Sequence, residues 1–197
     1  MCEGFKGTAT SKLIAIEGFV NPEDYPQVYD IGVEVKPEVV VFGKVCRQQR
    51  NVGFYSDVTT GYKYSRRIMP ARRFAEAPYL KEIMDKVNLE LGTGFNGVLV
   101  NIYTNGKDYI GAHSDDEDGL DPTNKCVASI AFGAVRKFRI RRKTSGKATN
   151  PIVVDCPHKS GTLLAMMGDF QQEFTHEIPK ETRVEGVRVS LTFRCHS

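Results

Sequence analysis

Residues Val187-Arg188-Val189-Ser190-Leu191-Thr192-Phe193-Arg194 alternate apolar and polar side chains without a break. A strand turns successive side chains to opposite faces. Val187, Val189, Leu191 and Phe193 therefore share one face, and Arg188, Ser190, Thr192 and Arg194 the other. The ordinary place for such a polar face is solvent. Two arginines interleaved with hydroxyls equally suit the wall of an anion pocket, because a guanidinium fork matches a carboxylate. The same period recurs at 95–104, where Asn101 and Tyr103 become neighbours on one side, both able to donate hydrogen bonds. Further short strands are expected near 12–19, 38–46, 61–68, 126–133, 135–142, 151–156 and 161–167, divided by Gly, Asn, Pro and Asp. Many short strands in one chain favour a mainly β sandwich or jelly roll with helical support.

Period 3.6 is clear in one place. Over 78–91, Leu80, Ile83, Met84, Val87 and Leu91 fall on one face, Pro78 suits a first helical turn, and Gly92 supplies the stop. A second helix is expected near 22–31. No repeat, low-complexity tract or long linker divides the 197 residues, so one domain is expected. Hydrophobic residues at 41% and charged residues at 26% exclude a disordered chain. No apolar run approaches the roughly 18 residues that span a bilayer, and Met1-Cys2-Glu3-Gly4-Phe5-Lys6 lacks a signal-peptide layout. Five cysteines, odd in number and without a CxxC pair, argue against a zinc cluster or disulfide framework. The expectation is a soluble intracellular monomer, nuclear in a eukaryote, cytoplasmic or nucleoid-associated in a bacterium.

A net charge of +3 says little about partners, but its distribution says more. Seven of the twelve residues at 136–147 are Lys or Arg, which reads as a solvated hairpin face or as a set of phosphate contacts. Asp115, Asp116, Glu117, Asp118 and Asp121 form an acidic cluster.

That cluster opens with His113-Ser114-Asp115. In an extended stretch residues i and i+2 project to one side, so an imidazole and a carboxylate can share one ion. A distant histidine completes the two-histidine, one-carboxylate facial triad of non-haem iron(II) oxygenases, with three coordination positions left open. The chain has three other histidines. His196 is expected to fray, His158 lies in a turn-like Cys156-Pro157-His158-Lys159-Ser160 that suits the surface, and His176 follows a strand-like run that suits a fixed site. His-x-Asp alone is a weak signal; its spacing to His176 and to the Arg-x-Ser-x-Thr-x-Arg strand makes it specific.

Together these segments resemble the AlkB family of iron(II)- and 2-oxoglutarate-dependent nucleic-acid dealkylases. The resemblance runs over roughly 38–195. It is carried by Asn101-x-Tyr103, Gly111-x-His113-x-Asp115-Asp116-Glu117, Ser129-Ile130-Ala131-Phe132-Gly133-Ala134-x-Arg136, Gly161-Thr162-Leu163-Leu164, His176-x-x-Pro179 and Arg188-Val189-Ser190-Leu191-Thr192-Phe193-Arg194. It is nearest to the branch that repairs duplex DNA. The resemblance implies a double-stranded β-helix (jelly roll) with an N-terminal nucleotide-recognition lid, the lid over about 1–75 and the catalytic core over about 76–197. It implies iron on His113, Asp115 and His176, with dioxygen as co-substrate. It places 2-oxoglutarate on Asn101, Tyr103, Arg188 and Arg194, with Thr192 and Ser190 beside them. Ser190 stands where the family usually has asparagine, and its hydroxyl reaches less far. The two arginines are about 20 Å apart at the backbone, so their side chains must converge.

The implied substrate is an N-alkylated base of the 1-methyladenine or 3-methylcytosine type in DNA, single or double stranded, with RNA also in play. The methyl sits on the pairing edge, so the base must leave the stack, and its broken pairing lowers that cost. Such bases are cationic, which gives Asp116 and Glu117 a use beyond solvation. Val41-Phe42-Gly43-Lys44 resembles the family's wedge, although Phe42 in a β-rich run also reads as a core residue. Tyr62, Tyr64 and Ser65 match lid positions that stack on or touch the extruded base. Arg47 and Arg50 join the basic run as phosphate candidates. Lys180-Glu181-Thr182-Arg183-Val184-Glu185 is mixed in charge where duplex-directed relatives carry a basic cluster, which weakens the case for a strong duplex clamp and keeps single strands, including RNA, in play. The rival expectations are the same chemistry on a protein or small molecule, and a nucleic-acid binding module without catalysis.

Overall fold

Strand alternation and one helical stripe account for most of the architecture. The computed structural model describes residues 4–41, 43–64, 67–117, 119–145 and 150–197. The strands in chain order begin with β1 (Ser11–Ile16), β2 (Glu38–Val41), β3 (Lys44–Arg47), β4 (Asn51–Ser56), β5 (Gly61–Tyr64), β6 (Arg67–Pro70) and β7 (Gly97–Tyr103). They continue with β8 (Ile110–His113), β9 (Val127–Gly133), β10 (Arg136–Arg142), β11 (Ile152–His158), β12 (Leu163–Gly168), β13 (Phe174–Ile178) and β14 (Arg188–Arg194). Helix α1 is Pro78–Leu91 and a single turn, α2, is Phe170–Glu173.

Six strands form a large antiparallel sheet in the order β1-β12-β9-β14-β7-β4, and four form a smaller one, β11-β10-β13-β8. The two sheets make the double-stranded β-helix. Hairpins β2–β3 and β5–β6 belong to neither. One face of the large sheet turns Val100, Ile130, Phe132 and Leu191 into a core shared with Leu80, Ile83, Met84 and Val87 of α1. The helix ends where expected because Gly92 takes the left-handed conformation (φ 63°). Burying each such aliphatic side chain contributes roughly 1.5–3 kcal/mol, so α1 is held by packing more than by propensity. The opposite face meets the small sheet through Tyr103, Leu164 and Met166 against Phe138, Ile140 and Ile178.

Several expectations shift. The stretch 22–31 forms two short 3₁₀ turns, Pro22–Asp24 and Pro26–Asp30, because each proline starts a turn and disfavours helix in the residue before it. The stretches 38–46 and 61–68 are not single strands: each divides into two strands that pair antiparallel. Strands β4 and β8 lack clear alternation and were not expected; His176 lies within a strand, β13, rather than after one. Both β1 and β4 are built into the large sheet, so the N-terminal third contributes to the core.

Candidate metal centre and its pocket

Strand β14 runs between β9 and β7, with both of its faces covered. Its polar face therefore cannot reach solvent: Arg188, Ser190, Thr192 and Arg194 are all buried and line a pocket between the sheets. The pairing register lays Tyr103 beside Arg188 and Asn101 beside Ser190 from β7, and Ser129 beside Thr192 from β9. The Ser190 and Ser129 hydroxyls share a hydrogen bond of 3.0 Å, so the short side chain at 190 is tied to the sheet itself.

The small sheet supplies the facing wall. His113 of β8 and His176 of β13 are register partners. Asp115 follows two residues on, its backbone N–H donating to Gln171 Oε1 (2.9 Å), while the Ser114 hydroxyl donates to the Phe174 carbonyl (2.9 Å). These bonds swing the carboxylate under both rings. His113 Nε2 lies 3.7 Å from Asp115 Oδ1 and His176 Nε2 lies 3.5 Å from Oδ2. One ligand atom from each of the three residues lies within 4.8 Å of the others.

The donor set fits iron(II). His113 Nδ1 sits 2.8 Å from the Gly111 carbonyl, which fixes the proton on Nδ1 and leaves the Nε2 lone pair inward. Asp115 Oδ2 is buried without a hydrogen-bond partner, the condition of an atom awaiting a cation. Burial keeps both imidazoles neutral, as ligation requires, holding His176 down to about 3. Although burial works against its charge, Arg194, His176 and His113 hold the Asp115 carboxyl below its usual range. Two nitrogens and one carboxylate with open positions are the ligands of a non-haem iron. The His176 ring is further braced by Phe138, stacked at 5.1 Å and 17°.

Arg194 organises the other wall. Its Nη2 donates to Asp115 Oδ1 and its Nη1 to the Tyr62 hydroxyl (2.7 Å), which in turn donates to Glu117. The remaining Glu117 oxygen is buried and unpartnered. Asp116 behaves differently: it is exposed, with Lys143 3.9 Å away. Of the two acids singled out from sequence, only Glu117 lines the pocket.

Other expectations are corrected. Tyr62 is buried and lines the pocket, with Phe54 at 5.4 Å and the Arg194 guanidinium 5.2 Å from its ring centre. Arg50 is buried and donates through Nε to Asn101 Oδ1 (2.7 Å), which makes it a pocket residue and not a surface phosphate contact. Arg47 is exposed beside Glu38. Most of the basic run is internally paired: Arg136 with Glu181, Arg139 with Asp155, Arg141 with Glu177 and Arg142 with Glu173. His196 does not fray; it packs on Phe54 at 5.0 Å, and its backbone N–H and carbonyl bond to Asn96. His158 is fully buried, not on the surface, and bonds to Arg188. Period-two reading of Val154, Cys156 and His158 as one inward face would have found it. Phe42, Ser65 and the Tyr64 side chain lie outside the described residues.

The model of the 2OG-Fe(II) oxygenase superfamily matches residues 23–194. Among curated proteins the chain is 32% identical over 179 residues to the DNA oxidative demethylase ALKBH2 of Arabidopsis thaliana, covering 81% of this chain and 57% of that protein. It is 38% identical over 159 residues to human ALKBH2 (79% and 60%). It is 36% identical over 154 residues to the human alpha-ketoglutarate-dependent dioxygenase alkB homolog 3 (75% and 52%). The chain thus spans between about half and two thirds of these relatives. Among solved structures, OsALKBH1 superposes with a TM-score of 0.56 at 14% identity, covering 92% of this chain and 97% of that one. A Pseudomonas putida prolyl-4-hydroxylase gives 0.52 at 16%, covering 96% and 95%. At such identities these two speak for the fold alone. The family implies iron(II), 2-oxoglutarate and dioxygen, and the donor set answers to the first of them. On the match over 23–194 and the facial triad inside it, this chain belongs to the 2OG-Fe(II) oxygenase superfamily.

Proposed function

We propose that this chain is an iron(II)- and 2-oxoglutarate-dependent dioxygenase that removes N-alkyl groups from bases of the 1-methyladenine and 3-methylcytosine type in DNA or RNA. The observation that carries the proposal is one pocket in which the facial triad, two buried arginines on one strand face and an unpartnered Glu117 oxygen meet. When bound, iron with 2-oxoglutarate and dioxygen supplies hydroxylation of the alkyl carbon, with release of succinate, CO2 and an aldehyde.

The protein's share is to bind, orient and keep water out. His113, Asp115 and His176 hold the metal. Arg194 is committed to Asp115 and fixes that ligand, so its guanidinium marks the metal end of the pocket. Arg188, six residues along the same strand, suits the distal carboxylate of 2-oxoglutarate, with Tyr103 and Asn101 on the neighbouring strand. Glu117 presents an acceptor where a cationic base would be favoured over its neutral parent. Hairpins β2–β3 and β5–β6, outside both sheets, are the candidate nucleotide lid. Most of the basic run is paired with carboxylates from other segments and gives little grip on phosphates, which favours single strands over a duplex.

Among the described residues no helix is long and apolar enough to cross a membrane. An intracellular monomer with nucleic acid as partner completes the proposal. Mass spectrometry of methylated oligonucleotides, as single and double strands of DNA and RNA, tests it. Loss of one methyl mass with iron(II) and 2-oxoglutarate is expected. Intact bases on all four substrates, with 2-oxoglutarate still consumed, would move the reading to a protein or small-molecule substrate.

A further inference from the structure

His158 closes β11 and is fully buried, yet it touches no metal ligand. Its partner is Arg188, whose Nη1 donates to the His158 carbonyl (3.2 Å) and whose Nη2 lies 3.0 Å from His158 Nδ1. Across the ring, Nε2 faces the Thr162 carbonyl at 2.9 Å. A carbonyl only accepts and a guanidinium only donates, so the proton sits on Nε2 and Nδ1 is the acceptor. Burial, with Arg188 beside it, keeps the ring in this neutral form, down to about 3.

The buried arginines in and beside the pocket are held in different ways. Arg194 meets the Asp115 carboxylate and Arg136, outside the pocket lining, that of Glu181, whereas Arg50 donates to the neutral Asn101 Oδ1. Arg188 has no carboxylate within 4.0 Å among the described residues, and its Nε is buried without a partner. A carboxylate would fix the guanidinium equally well but would cancel its charge. A neutral imidazole fixes the geometry and leaves the charge whole.

We propose that His158 is a positioning residue that presents Arg188, with its charge uncancelled, to a carboxylate of the 2-oxo acid. This rests on the reading of Arg188 as a co-substrate contact. The His158 ring also meets Phe138 edge-on at 6.1 Å, and Phe138 stacks on His176. A replacement that spares Phe138 therefore leaves metal binding alone.

Calorimetric titration of 2-oxoglutarate into the full chain loaded with manganese(II) tests the proposal without turnover. R188A, the control, loses at least roughly tenfold in affinity, the scale of one hydrogen bond to a charged group. H158N, a neutral acceptor, stays within about threefold of wild type, whereas H158L loses roughly tenfold. H158D keeps Arg188 paired and still loses at least as much as H158L. Manganese affinity stays constant throughout. Wild-type affinity in H158D, beside a weakened R188A, would overturn the role of His158. Wild-type affinity in R188A is a different failure: it overturns the co-substrate reading of Arg188 and the role of His158 with it. Should H158L and H158D not fold, nitrogen-15 spectra of histidine-labelled wild type decide. The expected result is an Nε2–H tautomer whose Nδ1 resonance moves when 2-oxoglutarate is added. An Nδ1–H tautomer, or an unmoved resonance, would overturn the proposal.

Discussion

His113 and His176 stand opposite each other across β8 and β13, their ring centroids 4.4 Å apart. Antiparallel pairing fixes this distance, so the two nitrogen ligands are set by the sheet and not by a loop. H176A should therefore fold, since His176 Nδ1 makes no hydrogen bond, while binding manganese(II) at least roughly 100-fold more weakly. Calorimetry with manganese(II) and a thermal melt together check this. Unchanged manganese affinity in H176A would remove it from the ligand set.

Arg194 counters two carboxylates, the buried Asp115 and the partly buried Glu117. R194M leaves both without their cation, and breaking one buried pair in this way costs about 3–5 kcal/mol. Urea unfolding without metal should show that loss. Saturating manganese(II), which replaces part of the missing charge, should recover some of it. A metal-independent loss would contradict the shared electrostatics.

Glu117 and Asp116 are adjacent acids with opposite environments. E117Q should lower the rate ratio of 3-methylcytosine over a neutral alkylated base by about tenfold, the scale of one charge-assisted hydrogen bond. D116N should leave that ratio within about twofold, because Asp116 faces solvent and Lys143. Competition assays on mixed oligonucleotides measure both. Equal effects at the two positions would contradict the placement of Glu117.

Acid should destabilise the chain in a defined window. Burial holds His158 down to about 3 and His196 down to about 4, whereas both titrate near 6.5 when unfolded. Below about 6.5 the unfolded chain binds more protons, so stability falls as pH drops, by roughly 1 kcal/mol per unit for each ring, until the folded rings titrate. Denaturant unfolding of the metal-loaded protein from pH 7 to 4.5 should show this slope. H158N should make it shallower; an equal slope would place His158 in contact with water.

The sequence carried the site further than it carried the fold's edges. Period two in 187–194 and 97–103 is intrinsic to a strand, so the co-ligand faces were legible before any sheet was known. Which face was interior was not: that depends on β14 lying between two neighbours, a relation between segments far apart in the chain. The buried place of His158 is hidden in the sequence for a related reason. Pro157 beside Lys159 looks like a turn, and only pairing with β10 makes it the end of a strand. The basic run reads as a solvated face or as phosphate contacts until Asp155, Glu173, Glu177 and Glu181, from elsewhere in the chain, pair most of it. Local pattern gives the ligands; partner identity needs the topology.

The most direct test of the account is coupled turnover. Wild-type chain is incubated with a 3-methylcytosine oligonucleotide, iron(II), 2-oxoglutarate and air, and succinate, formaldehyde and repaired base are counted. One of each per methyl removed is expected, and none from H176A. Succinate formed without base repair, or repair that persists in H176A, would contradict it.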